Sequence, residues 1–392
     1  MTVNAMQERE SPLPAGTSRR VLFVVDHLGY PGGVSSGGAT YLRLVVGRIR
    51  EAGVEPRVCV LRGHHAASTA RLQDVGVDPV FFGRRKWDPR ALGDLLRVIH
   101  RESPDVLHLN GMKAHLLGRL AAIITRRPSI VHLHFEYRPR PALLQQWLGT
   151  RTSKLLAVSR RLADHGREAF RVPLPRVELL YNGIDLQPFR ASCSSSDAAR
   201  GQFGLPAATP VVAAVGRLTL SPDKGYRELI RAMALVRRRV PGAILVIAGD
   251  GPARSICERL VEDLDLSNAV RFLGYTDRIA AVLAAADVAV VPSMCDDAFP
   301  YAALEAAAAG RPVVGFRVGG LPESVRHGET GLLLDRGNVH ALGGAVATLL
   351  EQPEWGASMG AAARRFAEGF SIERHVQRLV SIYHELTPAE AG

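Results

Sequence analysis

The chain has 392 residues, of which 47% are hydrophobic and 22% charged, the balance of a soluble globular protein with room for two ordinary domains. No apolar run reaches membrane-spanning length, since 279–291 is short and contains Asp287, which argues against an integral membrane protein. The net charge of +11 is unevenly divided: residues 1–190 carry 29 Lys/Arg against 16 Asp/Glu, and residues 191–392 carry 20 against 22. So basic a first half suits peripheral contact with an anionic membrane, or an anionic acceptor. It carries no aromatic-and-basic reader motif, so no nucleic-acid partner is expected. Cys59, Cys193, Cys257 and Cys295 are scattered without a CxxC, which disfavours a disulfide framework or structural zinc. A cytoplasmic chain follows as the expectation, peripheral at the inner membrane face if the basic half is used.

Residues 1–18 lack an apolar core and read as a disordered tail. Unbroken apolar strands are predicted at 21–26, 57–61, 105–109, 129–134, 155–158 and 177–181, with helices between most of them. That alternation predicts an α/β domain over 19–187 built as a doubly wound sheet. Residues 188–209, rich in Ser, Ala and Pro, read as a linker. A second αβ series follows, with strands at 211–216, 243–248, 270–273, 288–291 and 313–316, giving a second domain over 210–368. The helical end, 369–392, is expected to cross back to the first domain.

Several segments carry candidate chemistry. The loop HLGYPGGVSSGG at 27–38 lies between a strand and a helix, and its glycines allow close backbone approach to a ligand. It lacks the GxGxxG order, and no acid closes the second strand, so a nicotinamide enzyme is disfavoured. His132, His134 and Glu136 alternate through VHLHFEY, with His134 at the carboxyl end where such sheets bind ligands. A metal on this trio is the weaker alternative. Gly216, Arg217 and Leu218 precede five residues and then Lys224-Gly225; Lys224 is predicted to start a helix, where a cation opposes the dipole unless phosphate is bound. Asp263-Leu264-Asp265 spells DxD but reads as a solvated helix end. In CDDAFPYAALE, 295–305, a helix starts after Pro300 between Asp297 and Glu305. Its free N–H groups suit phosphate, and Glu305 lies about one turn inside.

This pattern resembles the signature of family 4 glycosyltransferases, in which an acid, seven residues and a Glu hold a sugar nucleotide. Here Asp297 stands where Glu is usual, and Ala298 where Gly or Pro is common. AVS at 157–159, NGID at 182–185, GDGP at 249–252, FLGY at 272–275 and GGLPE at 319–323 extend the likeness from Val21 to about Leu334. The resemblance implies the GT-B fold, two Rossmann-like doubly wound domains facing a central cleft. It further implies transfer of a sugar from a nucleoside diphosphate, with uridine favoured, to an acceptor hydroxyl with retention, and no metal or other cofactor. Glycans, lipid-linked sugars and small molecules all remain open as the acceptor.

By the same resemblance Arg217 and Lys224 grip the diphosphate and Glu305 takes the ribose. Asp297 and the N–H groups of 298–302, a stretch containing Phe299, Pro300 and Tyr301, position sugar and phosphate. His134 stands near the donor sugar, so the reacting centre would comprise Asp297, His134, Lys224 and Arg217. Gly37-Gly38, or alternatively Gly32-Gly33, meets donor phosphate and acceptor, and Gly274 and Tyr275 border the base. Two rivals share the fold: a sugar-nucleotide 2-epimerase, which needs a side-chain acid and base beside the sugar, and a binding module that has lost turnover.

Overall fold

The computed structural model describes residues 18–28, 37–63, 66–85, 88–192, 196–220 and 223–388. Strands β1 (Arg19–Val25), β2 (Val54–Val60), β3 (Val80–Phe81), β4 (Val106–Asn110), β5 (Ser129–Leu133), β6 (Lys154–Ala157) and β7 (Val177–Leu179) form one sheet. Its order is β3-β2-β1-β4-β5-β6-β7, with every pairing parallel. Strands β8 (Val211–Val215), β9 (Ile244–Ala248), β10 (Val270–Gly274), β11 (Val288–Val291), β12 (Val313–Phe316) and β13 (Gly331–Leu334) form the second, also all-parallel sheet, in the order β10-β9-β8-β11-β12-β13. Helices cover both faces of each sheet, which is why the strands read as unbroken apolar runs. Val21, Leu22, Phe23 and Val24 of β1 are all buried, although they point alternately to opposite faces.

In each sheet the winding reverses between two neighbours, β1 and β4 in the first, β8 and β11 in the second. A crevice opens at the carboxyl ends of such a pair. The two crevices face each other across the molecule, and the residues following β1, β4, β8 and β11 line one shared cleft.

The chain crosses between the domains twice, side by side. Ile184 N–H donates to Phe370 O at 2.8 Å, and Ile372 N–H to Ile184 O at 2.9 Å. Beyond the second crossing, the helix Ile372–Leu386 buries Val376, Leu379 and Tyr383 in one core with Val21, Tyr41 and Val45 of the first domain. The described residues of the segment read as a linker are largely helical instead. Helices Gln187–Ser192 and Ser196–Gln202 pack on the helix Ile279–Ala285, burying Phe189, Ala199 and Leu205. Arg200 fixes this segment, donating to Asp287 at 2.7 Å and to Ala285 O at 3.1 Å. Such short helices present too few turns to show a period, which is why the composition points to a linker. The tail, 1–17, lies outside the described residues. Among those described, no helix is long and apolar enough to cross a membrane.

Candidate active site

The shared cleft encloses about 1010 Å³, ample for a nucleotide-sized ligand. Gly38, His134, Arg217, Lys224, Tyr275, Asp297, Phe299, Pro300, Tyr301 and Glu305 all line it, although they come from six separate stretches of sequence. Gly37 opens the helix Gly37–Glu51 immediately before Gly38, and Gly274 ends β10 one residue before Tyr275 without lining the cleft itself. Gly32-Gly33 lies outside the described residues. Asp263-Leu264-Asp265 sits at the end of the helix Arg254–Asp263, with both acids exposed and away from the cleft.

Lys224 does not start a helix. The helix is Tyr226–Arg239, capped by Gly225 at φ 72°, so Lys224 lies in the preceding turn. A side chain on Gly225 would meet Pro292 O at 1.7 Å, so this turn packs backbone to backbone against the loop that carries Asp297. The Lys224 ammonium pairs with both carboxylate oxygens of Asp297, and Ser293 Oγ donates to Asp297 Oδ2 at 2.7 Å. Asp297 therefore does more than replace a longer acid: it compensates the lysine at the cleft wall. The second loop of GGLPE fixes its backbone, with Gly320 N–H donating to Asp297 O at 2.7 Å.

The helix Tyr301–Ala308 begins after Pro300 with no side-chain cap. Pro300 has no N–H to give, so the expected run of donors across 298–302 is interrupted there, leaving Ala298, Phe299, Tyr301 and Ala302. Glu305, one turn inside, is half-buried at the cleft wall and has no hydrogen bond or ion pair from its carboxylate among the described residues. Burial pushes its carboxyl up to about 7. The nearby Tyr301 hydroxyl is likewise buried without a partner among the described residues. A hydroxyl-bearing ligand in the cleft would satisfy the carboxylate.

The opposite wall belongs to the first domain. Asp26, just past β1, accepts from Lys113 N–H at 3.1 Å and Ala114 N–H at 2.7 Å. It thereby occupies the start of the helix Met112–Thr125, which is closed to a phosphate. His134 Nε2 donates to Asn110 Oδ1 at 3.0 Å, linking the ends of β5 and β4. Burial, reinforced by the neighbouring His375, holds the His134 imidazole down to about 3, so it stands neutral in the cleft. His132 is fully buried and contacts His108 Nε2 and Tyr41 Oη, both at 3.1 Å, while Glu136 is exposed and pairs with Arg161 at 2.9 Å. The trio therefore points to three different environments. Among the described residues no group of three or more His, Cys, Asp or Glu converges on a metal-sized space.

Several residues at or beside the cleft were not singled out individually in the sequence. Arg71 reaches across from the helix Ala66–Gln73 to donate to Tyr275 Oη at 2.6 Å, bridging the two domains at the cleft edge. Asn182, in NGID, donates to Phe299 O at 3.2 Å, and Tyr181 stacks on Phe299 at 4.7 Å. Asp26 follows β1 and Asn110 ends β4, the one feature that could have marked them; Arg71 has no such mark.

Comparison with known proteins fits this geometry. Residues 35–188 match Glycosyltransferase Family 4, and residues 195–366 match Glycosyl transferases group 1. The chain is a GT-B glycosyltransferase of the family 4 type. Among solved structures, Anabaena HepE in complex with UDP superposes with a TM-score of 0.81 at 24% identity, over 93% of this chain and 100% of that one. HepE in complex with UDP-glucose gives 0.78 at 25%, over 93% and 99%. The D-inositol 3-phosphate glycosyltransferase of Corynebacterium glutamicum is 36% identical over 54% of this chain and 52% of its own length. The GDP-mannose-dependent alpha-(1-6)-phosphatidylinositol monomannoside mannosyltransferase of Mycobacterium tuberculosis is 36% identical over 50% and 52%. This glycosyltransferase thus spans about half the length of the curated relatives it matches.

Proposed function

We propose that this glycosyltransferase moves a sugar from a uridine diphosphate donor to an acceptor hydroxyl with retention of configuration and without a metal. The observation that carries the reading is the convergence, in one cleft, of Arg217, Lys224, an uncapped helix start and the Glu305 carboxylate, which has no partner among the described residues. The two cations and the N–H groups would meet charge developing on the leaving diphosphate, an electrostatic role that needs no proton transfer from the protein. Glu305 would accept from the ribose hydroxyls. The sugar C1–O bond breaks with its electron pair leaving on the diphosphate, the acceptor oxygen bonds C1 on the same face, and its proton passes to the departing phosphate. The neutral His134 and the lysine-bound Asp297 border the sugar's space rather than serving as an acid–base pair, which favours transfer over epimerisation. HepE complexes with UDP and UDP-glucose support uridine, whereas the mycobacterial relative is named for GDP-mannose.

Thermal unfolding with UDP, GDP, ADP or dTDP, each with and without EDTA, tests the reading. A ligand at about 100 times its dissociation constant adds roughly 2.7 kcal/mol, a visible shift. Selective stabilisation by UDP, indifferent to EDTA and absent in Lys224→Ala, is expected. A shift with GDP alone would change the donor, loss of the shift in EDTA would remove metal independence, and no shift with any nucleotide at millimolar concentration would point to the degenerate module.

A further inference from the structure

Five of the ten large apolar side chains exposed among the described residues lie in one region of the first domain. Leu143 and Trp147, 82% and 45% exposed, sit four residues apart on the outer face of the helix Ala142–Gly149. Arg119 ties this helix to Met112–Thr125 by donating to Gln145 O at 3.3 Å, and Ile123 and Ile124 stand one turn farther along. Ile124 is 59% exposed. Arg176 donates to Thr150 O at 3.0 Å, which brings Leu174, 62% exposed, to the end of the same helix.

Arginines surround these side chains. Arg126, Arg138, Arg140, Arg151, Arg171 and Arg176 are all exposed. Between residues 112 and 176 the chain carries 13 Lys/Arg against three acids, Glu136, Asp164 and Glu168, of which Arg161 pairs the first at 2.9 Å and Arg167 the second at 3.4 Å. The Arg151 guanidinium lies 3.9 Å from the Trp147 ring centroid, so the indole and the cation share one outward surface.

We propose that this face docks on an anionic lipid bilayer. Charge complementarity selects that occupant: the arginine rim meets lipid phosphates while the protruding Leu143, Trp147 and Leu174 enter the boundary between headgroups and acyl chains. Trp is suited to that boundary, with an apolar ring and a polar N–H. The segment 135–141 runs from the cleft, which Phe135 lines, to this helix, so docking holds the first-domain side of the cleft near the lipid surface.

The test measures cosedimentation of the full chain with phosphatidylcholine vesicles containing phosphatidylglycerol, and with pure phosphatidylcholine. Binding is expected only to the anionic vesicles, falling as salt rises from about 0.1 to about 0.5 M. The double variants Leu143→Asp/Trp147→Asp and Arg138→Glu/Arg140→Glu should each weaken it by about tenfold or more. Thermal unfolding of both variants, with and without UDP, separates a lost surface from a lost fold and from failure of the donor assignment. Equal binding to neutral vesicles, undiminished binding by the folded variants, or no vesicle binding at all would overturn the proposal. A concentration-dependent dimer broken by Leu143→Asp, without vesicle binding, would overturn it too and assign the face to a second copy.

Discussion

The Lys224 ammonium contacts both carboxylate oxygens of Asp297, 73 residues away in sequence, and Ser293 Oγ completes the carboxylate at 2.7 Å. The pair is one-quarter exposed, so it is partly shielded from water, and its two members have opposite effects on an incoming diphosphate. Lys224→Ala removes an attractive charge and should weaken UDP binding about 10- to 100-fold. Asp297→Asn frees the lysine, so UDP should bind as tightly as to the wild type or more tightly, while sugar transfer falls. Calorimetry with UDP and initial rates with the full donor separate the two. Should Asp297→Asn lose UDP as heavily as Lys224→Ala, Asp297 would act only by holding the lysine in place.

Glu305 makes a second case in which function and stability pull apart. Its carboxyl is raised by burial from 4.5 to about 7. The unfolded chain therefore ionises first: between pH 4.5 and about 7 stability falls as pH rises, and above about 7 the full cost is present. A tenfold difference in proton affinity between the two states corresponds to about 1.4 kcal/mol, and to less here, because solvent reaches this half-buried position. Glu305→Gln should accordingly unfold at a higher temperature than the wild type at pH 8 and at the same temperature at pH 4, while binding no donor. Equal melting of the two proteins at pH 8 would show that the carboxylate has a partner in solution.

Much of this architecture was legible because its cause is local. Strands buried on both faces announce themselves as unbroken apolar runs, and β1, β9 and β11 lie within two residues of where the sequence put them. The elements that line one wall of the cleft were legible for a related reason: Arg217 with Lys224, and Asp297 with Glu305, occur as short spacings within a loop or one helix turn. The rest depends on distant segments meeting. Nothing near Arg71 forecasts Tyr275, 204 residues away, and nothing near Lys224 forecasts that Asp297 would pair with it. Residues 187–202 misled because helices of six and seven residues are held by Phe189 and Arg200 rather than by a visible period.

The approach of Gly320 to the Asp297 loop gives a positional test. A Cβ there would lie 1.7 Å from Ala298 O, backbone that cannot swing aside. Gly320→Ala should cost about 1–3 kcal/mol of stability, and the displaced loop should lower transfer well beyond what that loss alone would cause. Gly93→Ala is the control. It lies in the helix Arg90–Glu102 with nothing within 4 Å of the added carbon, and should be neutral or slightly stabilising. Thermal melts and rates measured together decide: full activity in a folded Gly320→Ala would show that the loop tolerates the shift.

Beneath the cleft, histidines from the first domain and from the last helix form one buried network. His108 Nδ1 meets Tyr383 Oη at 2.7 Å and its Nε2 meets His132, while His375 joins Tyr41 at 3.3 Å and the Tyr181 carbonyl at 2.8 Å. Burial lowers all of them: His108 and His132 fall well below 6.5, His375 to about 4, and His134 to about 3. The unfolded chain takes up these protons near pH 6.5, whereas the folded chain resists them until far lower pH. Stability is therefore present above pH 6.5 and lost as pH falls toward 4, each histidine contributing about 1.4 kcal/mol per pH unit while it differs between the states. Because Tyr383 and His375 lie on the helix that crosses back to the first domain, acid should detach that helix early. Hydrogen exchange at pH 5 should show Ile372–Leu386 opening before β1 and β4, and denaturation at that pH should take up several protons. Protection of that helix equal to the sheet's, with no proton uptake, would show that the imidazoles are already solvated in the folded protein.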